Sequence, residues 1–218
     1  MQIEISSVNS AGEDEIFIGF EISSDGKIER RRLLLPTSTY IELKIQAGRI
    51  NCDFYDLIER EAQIYSAYKR GLHILEYGSC SKCMLISKLT AKNHSRDTAQ
   101  IAVERIESHG FLSESKSAVR EAERCAAKLW GKSRICAHLR SKGYDKSAVE
   151  KAMFALEDED IDFSENCRKL IISKYGKLPG DRIGLQKLIS SIRRFGYSFG
   201  EIQAALRKIA NEKPGLYY

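Results

Sequence analysis

One short sequence pattern occurs three times in this 218-residue chain, at residues 88–94, 138–144 and 191–197. Successive copies lie 50 and 53 residues apart, and the register holds without a gap inside the unit. Matched apolar or small positions, copy by copy, are Leu85, Ile135 and Leu188; Leu89, Leu139 and Ile192; Ala102, Ala152 and Ala205; Val103, Met153 and Leu206; Ile106, Leu156 and Ile209. Self-similarity at this period is typical of helical units whose copies stack into a solenoid-like array.

Each copy also carries the residues that end one helix and begin the next. Gly and Asn adopt positive φ most readily, so they close a helix. Ser and Asp side chains cap the first turn of the helix that follows. The predicted turn residues are Asn93, Gly143 and Gly196, and the predicted caps are Ser95, Asp145 and Ser198. Each unit is therefore predicted to be a helix, a Gly/Asn turn and a second helix, preceded by a longer helix.

The N-terminal segment has a different pattern. Residues 16–22 and 27–35 are predicted strands joined by a turn at Asp25-Gly26, and residues 1–5 alternate as a third strand would. Pro36 is expected to open a short helix through Ile45 that Gly48 ends. The predicted domains are a β-rich segment at 1–56 and helical repeats at 57–112, 113–161 and 162–218.

Charge is distributed unevenly along the chain. The formal charge is −2 over residues 1–112, zero over 113–162 and +7 over 163–218, within a total of +5. A basic end of this kind commonly binds phosphate or an acidic protein surface. The chain has neither a long apolar run nor a basic N-terminal leader pattern, so we expect no membrane association and a cytoplasmic location.

Basic residues of the second and third repeats form the candidate partner-binding set, with Trp130, Tyr144, Phe195 and Tyr197 among them. They could bind a nucleic-acid backbone or an acidic filament, or they could be ordinary solvated helix faces. The set is Lys128, Lys132, Arg134, Arg140, Lys142, Lys146, Lys187, Arg193, Arg194, Arg207 and Lys208.

Patterns that would carry catalysis or bind a cofactor are weak in this sequence. Cys80 and Cys83 form a CxxC at a helix start, but zinc needs four ligands and the redox role needs a βαβ setting. The six cysteines are expected to be reduced thiols, and the four histidines lie singly. The acidic run at 157–160 with Asp162 could bind a metal, but more simply favours the N-terminus of the next helix. We therefore predict a binding protein with no catalytic residue, no metal and no cofactor.

The repeated pattern resembles the RecX family, bacterial regulators of the RecA recombinase. The family motif, a helix ending in Leu, then Lys-Gly-Tyr, then a helix with small and apolar positions, stands at residues 81–106. It is closest at 135–156, where Lys142, Gly143 and Tyr144 are intact. Residues 110–113 resemble the family's Gly-Tyr-Leu-Asp joint, with Ser113 in place of Asp. The resemblance covers residues 60–212, about 70% of the chain, and the predicted strands look like the β segment of longer members.

The resemblance implies a mainly α protein in which three tandem three-helix repeats form an elongated, curved array behind a small β segment. It implies a monomer that binds the groove of the RecA–DNA filament and acts in DNA recombination, DNA repair and the SOS response. Members usually restrain RecA's recombinase and ATPase activity, and in some lineages modulate it differently. Single- or double-stranded DNA is a further expected partner. Two alternatives stay open: a helical-repeat protein that binds DNA or RNA directly, and a scaffold without a nucleic-acid role.

Overall fold

The computed structural model describes residues 2–24, 26–159 and 161–212. The chain divides into two compact units. The first unit contains residues 1–78 and 85–112, and the second contains residues 79–84 and 113–218. The chain is mainly helical, with a small antiparallel sheet at its N-terminal end. The division into four segments that the sequence suggested stays a prediction.

The sheet has four antiparallel strands in the order β3-β2-β1-β4. Their bounds are β1 Gln2–Ser10, β2 Glu15–Ser24, β3 Lys27–Pro36 and β4 Gly48–Ile50. The predicted hairpin of β2 and β3 and the third strand β1 are confirmed. In the hairpin turn, Gly26 takes a φ of 75°, while Asp25, like Met1 of the predicted first strand, lies outside the described residues.

One face of the sheet packs against a long helix, α2, which spans Cys52–Glu76. Alternate strand residues are buried there, and the Phe20 ring meets Tyr55 of α2 edge-to-face at a centroid distance of 5.1 Å. Side chains at every second strand position and along one face of α2 are therefore buried together in one apolar layer. Its buried members are Ile3, Ile5, Ile18, Phe20, Leu35, Ile45, Tyr55, Ile58 and Ala62.

Two boundaries differ from the sequence prediction. Helix α1 spans only Thr37–Glu42, and Gly48 begins β4, with a φ of 124°, where the prediction had it end a helix reaching Ile45. Helix α2 begins at Cys52 because the Asn51 side chain accepts a 2.8 Å hydrogen bond from the Phe54 amide. A capping Asn therefore sets the N-terminus of this helix.

Eight further helices follow α2 in the described part of the chain. They are α3 Lys82–Thr90, α4 Arg96–Ser108, α5 Glu114–Ala127, α6 Lys132–Ser141, α7 Lys146–Asp158, α8 Phe163–Tyr175, α9 Arg182–Arg194 and α10 Phe199–Glu212. No helix among the described residues combines the length and apolarity needed to cross a bilayer.

The three predicted turns and their caps are confirmed. Asn93, Gly143 and Gly196 have φ values of 68°, 76° and 92°. Ser95 and Asp145 accept hydrogen bonds from the amides of Thr98 and Ala148. Ser198 and Glu201 form a reciprocal capping box, in which each side chain accepts from the other residue's amide.

Two hydrogen bonds of the second unit, one from a side chain and one from the backbone, recur at the offsets of the sequence repeat. The Ser81 hydroxyl, at the start of α3, donates to the Lys142 carbonyl at 2.5 Å. Fifty residues later, the Gly131 amide, at the start of α6, donates to the Phe195 carbonyl at 2.8 Å. Each acceptor immediately precedes a turn glycine. The start of one helix therefore docks on the turn of the helix pair that follows it along the chain.

The second of these contacts leaves no room for a side chain. A Cβ on Gly131 would lie 2.4 Å from the carbonyl atoms of Gly196, and one on Gly196 would lie 2.4 Å from the Arg134 amide nitrogen. Because backbone cannot rotate away as a flexible side chain can, the requirement for glycine at both positions is steric as well as conformational.

We predict that Gly131→Ala lowers the free energy of unfolding by about 2 kcal/mol or more, since it forces two backbones apart. The measurement is urea unfolding followed by circular dichroism. The matched control is Gly200→Ala in α10, where a Cβ would meet nothing within 4 Å. That substitution should change stability by about 0.5 kcal/mol or less. Equal effects of the two substitutions would contradict the close contact.

The N-terminus of α8 depends on one carboxylate. Asp162, from the predicted acidic run, accepts hydrogen bonds from the Ser164 and Glu165 amides and from the Lys208 ammonium of α10 at 3.0 Å. The Lys208 hydrogen bond and then the Glu165 amide hold the pKa of Asp162 below its ordinary value. The run thus favours the helix N-terminus as predicted at Asp162, whereas Asp160 lies outside the described residues.

Because the folded-state pKa of Asp162 is lowered, its stabilising effect is present above the unfolded-state pKa and is lost as the pH falls through the folded value. Asp162→Asn keeps a capping side chain and removes the charge. We expect wild type to be more stable than Asp162→Asn near pH 7, and the difference to shrink below about pH 4. The same substitution in a Lys208→Met background should have a smaller effect near pH 7. A stability difference between wild type and Asp162→Asn that does not change with pH would contradict a stabilising role of the Asp162 charge.

Candidate functional site

All eleven residues of the predicted partner-binding set lie in the second unit. Four of them form ion pairs with acidic neighbours, and the pair that Lys142 makes is described below. Lys132 lies 2.7 Å from Glu157, Lys146 lies 3.7 Å from Glu150, and Lys208 binds Asp162 as described above. Exposed pairs of this kind are weak, so these lysines keep part of their ability to bind a partner.

Arg134 has a structural position between two aromatic rings. Its guanidinium carbon lies 4.0 Å from the centroid of Trp130 and 5.1 Å from that of Phe195. The ammonium groups of Lys128 and Lys174 lie near the same rings, 6.0 Å from Trp130 and 4.6 Å from Phe195. Cation–π contacts with Trp130 and Phe195, two of the aromatic residues noted in the sequence, therefore join the start of α6 to the end of α9.

Lys142 belongs to a polar cluster around Glu121. The Glu121 carboxylate accepts hydrogen bonds from the Lys142 ammonium at 2.6 Å and from His138 Nε2 at 2.9 Å. Burial raises the pKa of Glu121, but these two hydrogen bonds outweigh it and the net shift is downward. Glu121 is therefore ionised, and Lys142 is directed toward the protein.

The other arginines of the set and Lys187 are exposed, and no described residue forms an ion pair with them. Arg140 lies on α6 and Arg207 on α10, whereas Lys187, Arg193 and Arg194 share α9. Helix α9 buries Leu188 and Ile192 on one side. Helical spacing places its four basic residues on the opposite side, within one exposed arc without an acidic residue. We call this surface the α9 face: Arg182, Lys187, Arg193 and Arg194.

The first unit contains a basic groove that the sequence analysis did not identify. It has a volume of about 730 Å³ and runs between β3 and α2, with the turn before α4 at one side. Lys69 is paired with Glu15, and the Arg32 guanidinium lies 3.7 Å from the Phe17 ring centroid. Its cationic and histidine lining residues are Arg32, Lys69, Arg70, His73, Lys92 and His94, with Glu59 as the acidic one.

The net charge of residues 1–112 gave no indication of this groove, because most acidic residues of the first unit lie outside it. The signal in the sequence was the polar stripe on α2 formed by Ser66, Lys69, Arg70 and His73, whose spacing of three and four residues places them on one helix face. Lys92 and His94 reach the same groove only through the tertiary fold.

Comparison with known proteins identifies the family. The regulatory protein RecX of Xanthomonas citri is 31% identical over 140 residues, which cover 64% of this chain and 85% of that protein. The regulatory protein RecX of Stenotrophomonas maltophilia is 27% identical over 150 residues, covering 68% and 90% of the two chains.

Solved structures show the same fold at low sequence identity. A crystal structure of regulatory protein RecX superposes with a TM-score of 0.72 at 19% identity, covering 92% of this chain and 97% of that one. The RecX structure from Lactobacillus salivarius gives 0.57 at 18% identity, covering 67% and 96%. No family model matches the chain. The identity to the curated relatives, over most of their length, nevertheless shows that this chain belongs to the RecX family of regulatory proteins.

Proposed function

We propose that this protein is a non-enzymatic regulator that binds the RecA–DNA filament as a monomer and inhibits RecA's recombinase and ATPase activities. Membership of the RecX family supports RecA as the partner. The exposed basic α9 face is the observation that supports the location of the binding surface. The cellular setting that we propose is DNA repair, recombination and the SOS response in the cytoplasm.

The α9 face suits a partner with repeated negative charge. Its cations point away from the buried stripe and have no competing acid on the same helix. Complementary charge raises the rate of encounter and fixes orientation, and packing at the centre of an interface supplies most of the affinity. We also assign Arg140 and Arg207 of the predicted set to partner binding, since neither forms an ion pair within the described part of the chain. An elongated, curved stack of three-helix repeats would present such surfaces along a filament groove.

We expect Arg193→Gln/Arg194→Gln to raise the concentration needed for half-maximal inhibition of RecA's DNA-dependent ATP hydrolysis about tenfold, because two attractive charges are removed. Strand exchange should be relieved in parallel. The matched control is Lys27→Gln/Lys116→Gln, which removes two cations outside the predicted set. Unchanged inhibition by the first variant would contradict partner binding by the α9 face. No effect of the wild-type protein at stoichiometric excess would contradict binding to the RecA–DNA filament.

A second candidate function, direct binding of DNA or RNA, is favoured by the basic groove of the first unit. The groove is open and lined by Arg70 and Lys92, which form no ion pair with any described residue. Cationic grooves of this kind follow a phosphate backbone in proteins that bind single strands.

A salt series with a fluorescent oligonucleotide tests this second function. If the groove binds the backbone, Arg70→Gln/Lys92→Gln should lower the slope of log affinity against log salt by about 1.4, roughly 0.7 for each single-strand phosphate whose cation is removed. Arg193→Gln/Arg194→Gln provides the comparison, since it leaves the groove intact. Binding that appears only when RecA is present would exclude the second function.

A further inference from the structure

Three side chains with three different metal-binding atoms meet between α5 and α6. Glu121 and Cys125 lie one turn apart on α5, and His138 reaches them from α6. The Glu121 oxygen, the Cys125 sulfur and the imidazole nitrogen all lie within 4.8 Å of one another. Within the described residues, these three form the one such trio of His, Cys, Asp and Glu side chains. We call them the α5–α6 trio.

The trio is sheltered and its imidazole is held in place. Cys125 is 1% exposed, and the side chains of Glu121 and His138 are 13% and 26% exposed. The Trp130 ring contacts the imidazole edge-to-face at 5.2 Å, and Nε2 points at the carboxylate. An imidazole fixed by its neighbours is favourable for metal binding, because less rotational freedom is lost when the ion arrives.

One cation already occupies part of this space. The Lys142 ammonium lies 2.6 Å from the same Glu121 oxygen that His138 contacts. Its side chain is 34% exposed, and Lys142 follows the last residue of α6, so it has solvent into which to move. A divalent ion would take over the compensation of the Glu121 charge.

We propose that the α5–α6 trio binds a divalent transition-metal ion of the zinc and cobalt class. The ligands are a Glu121 carboxylate oxygen, the Cys125 thiolate and His138 Nε2, with water in the fourth position of a tetrahedral site. The Cys125 thiol releases its proton to solvent, His138 loses its Nε2 proton and keeps or gains one on Nδ1 so that Nε2 can coordinate, and Lys142 leaves the carboxylate. In the absence of metal, burial raises the pKa of Cys125, so the thiol is protonated and metal binding weakens as the pH falls.

The experiment is titration of the purified full chain with Co²⁺, whose bond to a thiolate gives a charge-transfer absorption band. We expect one Co²⁺ per chain, displacement by Zn²⁺, and loss of the band in Cys125→Ala and in His138→Gln. Cys167→Ala is the matched control, because Cys167 is an equally buried thiol of the same unit. Circular dichroism of each variant separates lost binding from lost folding.

Cys80 and Cys83 are the competing thiols, and Cys80→Ala/Cys83→Ala should leave the band unchanged. Lys142→Met gives a test in the opposite direction that does not depend on removing a ligand. With the competing ammonium gone, Co²⁺ affinity should increase about tenfold. A band that follows Cys80 and Cys83, the absence of a thiolate band, or a Lys142→Met variant with unchanged or weaker affinity would overturn the proposal.

Discussion

The second unit depends on the docking of a helix start against the turn of the next helix pair. At residues 131 and 196 this contact joins two backbones directly, so both positions must be glycine. At residues 81 and 142 the same relation uses a serine hydroxyl, which also caps its own helix by accepting from the Met84 amide. A polar contact that recurs at the repeat offsets fixes the spacing of the helices, and apolar packing then fills the space between them.

That spacing decides which side chains remain available for binding. Small residues at the matched alanine positions let helices approach closely, and Ala102, Ala152 and Ala205 are each fully buried. The apolar stripe of α9, formed by Leu188 and Ile192, is likewise buried in the packing. The basic arc of α9 is therefore what the packing leaves exposed, and under the proposed function it is available to a partner outside the chain.

The parts of the fold that the sequence predicted correctly are those set by local chemistry. Positive φ at Asn93 and the Asp145 cap each depend on a residue and its immediate neighbours. Strand β4 and the basic groove were missed because they form only when distant segments meet. The α5–α6 trio was missed for the same reason: Glu121 and His138 are 17 residues apart, and neither matches a metal motif. Each histidine is therefore isolated in the sequence, whereas in the structure His138 has a thiol and a carboxylate beside it.

The candidate site shows why counting charges overstates a binding surface. Eleven cations were predicted from basic stretches of the sequence, yet Arg134 lies between two rings and Lys142 compensates a partly buried carboxylate. Conversely, the first half, with a formal charge of −2, contains a groove in which Arg70 and Lys92 form no ion pair with any residue that the structure describes. What matters for a partner is whether a cation already has an anion or a ring beside it, because a committed charge must give up that interaction before it can bind another. By this criterion the α9 face and the groove are the two binding surfaces that we propose, one in each unit, and substitutions in each test a different proposed partner.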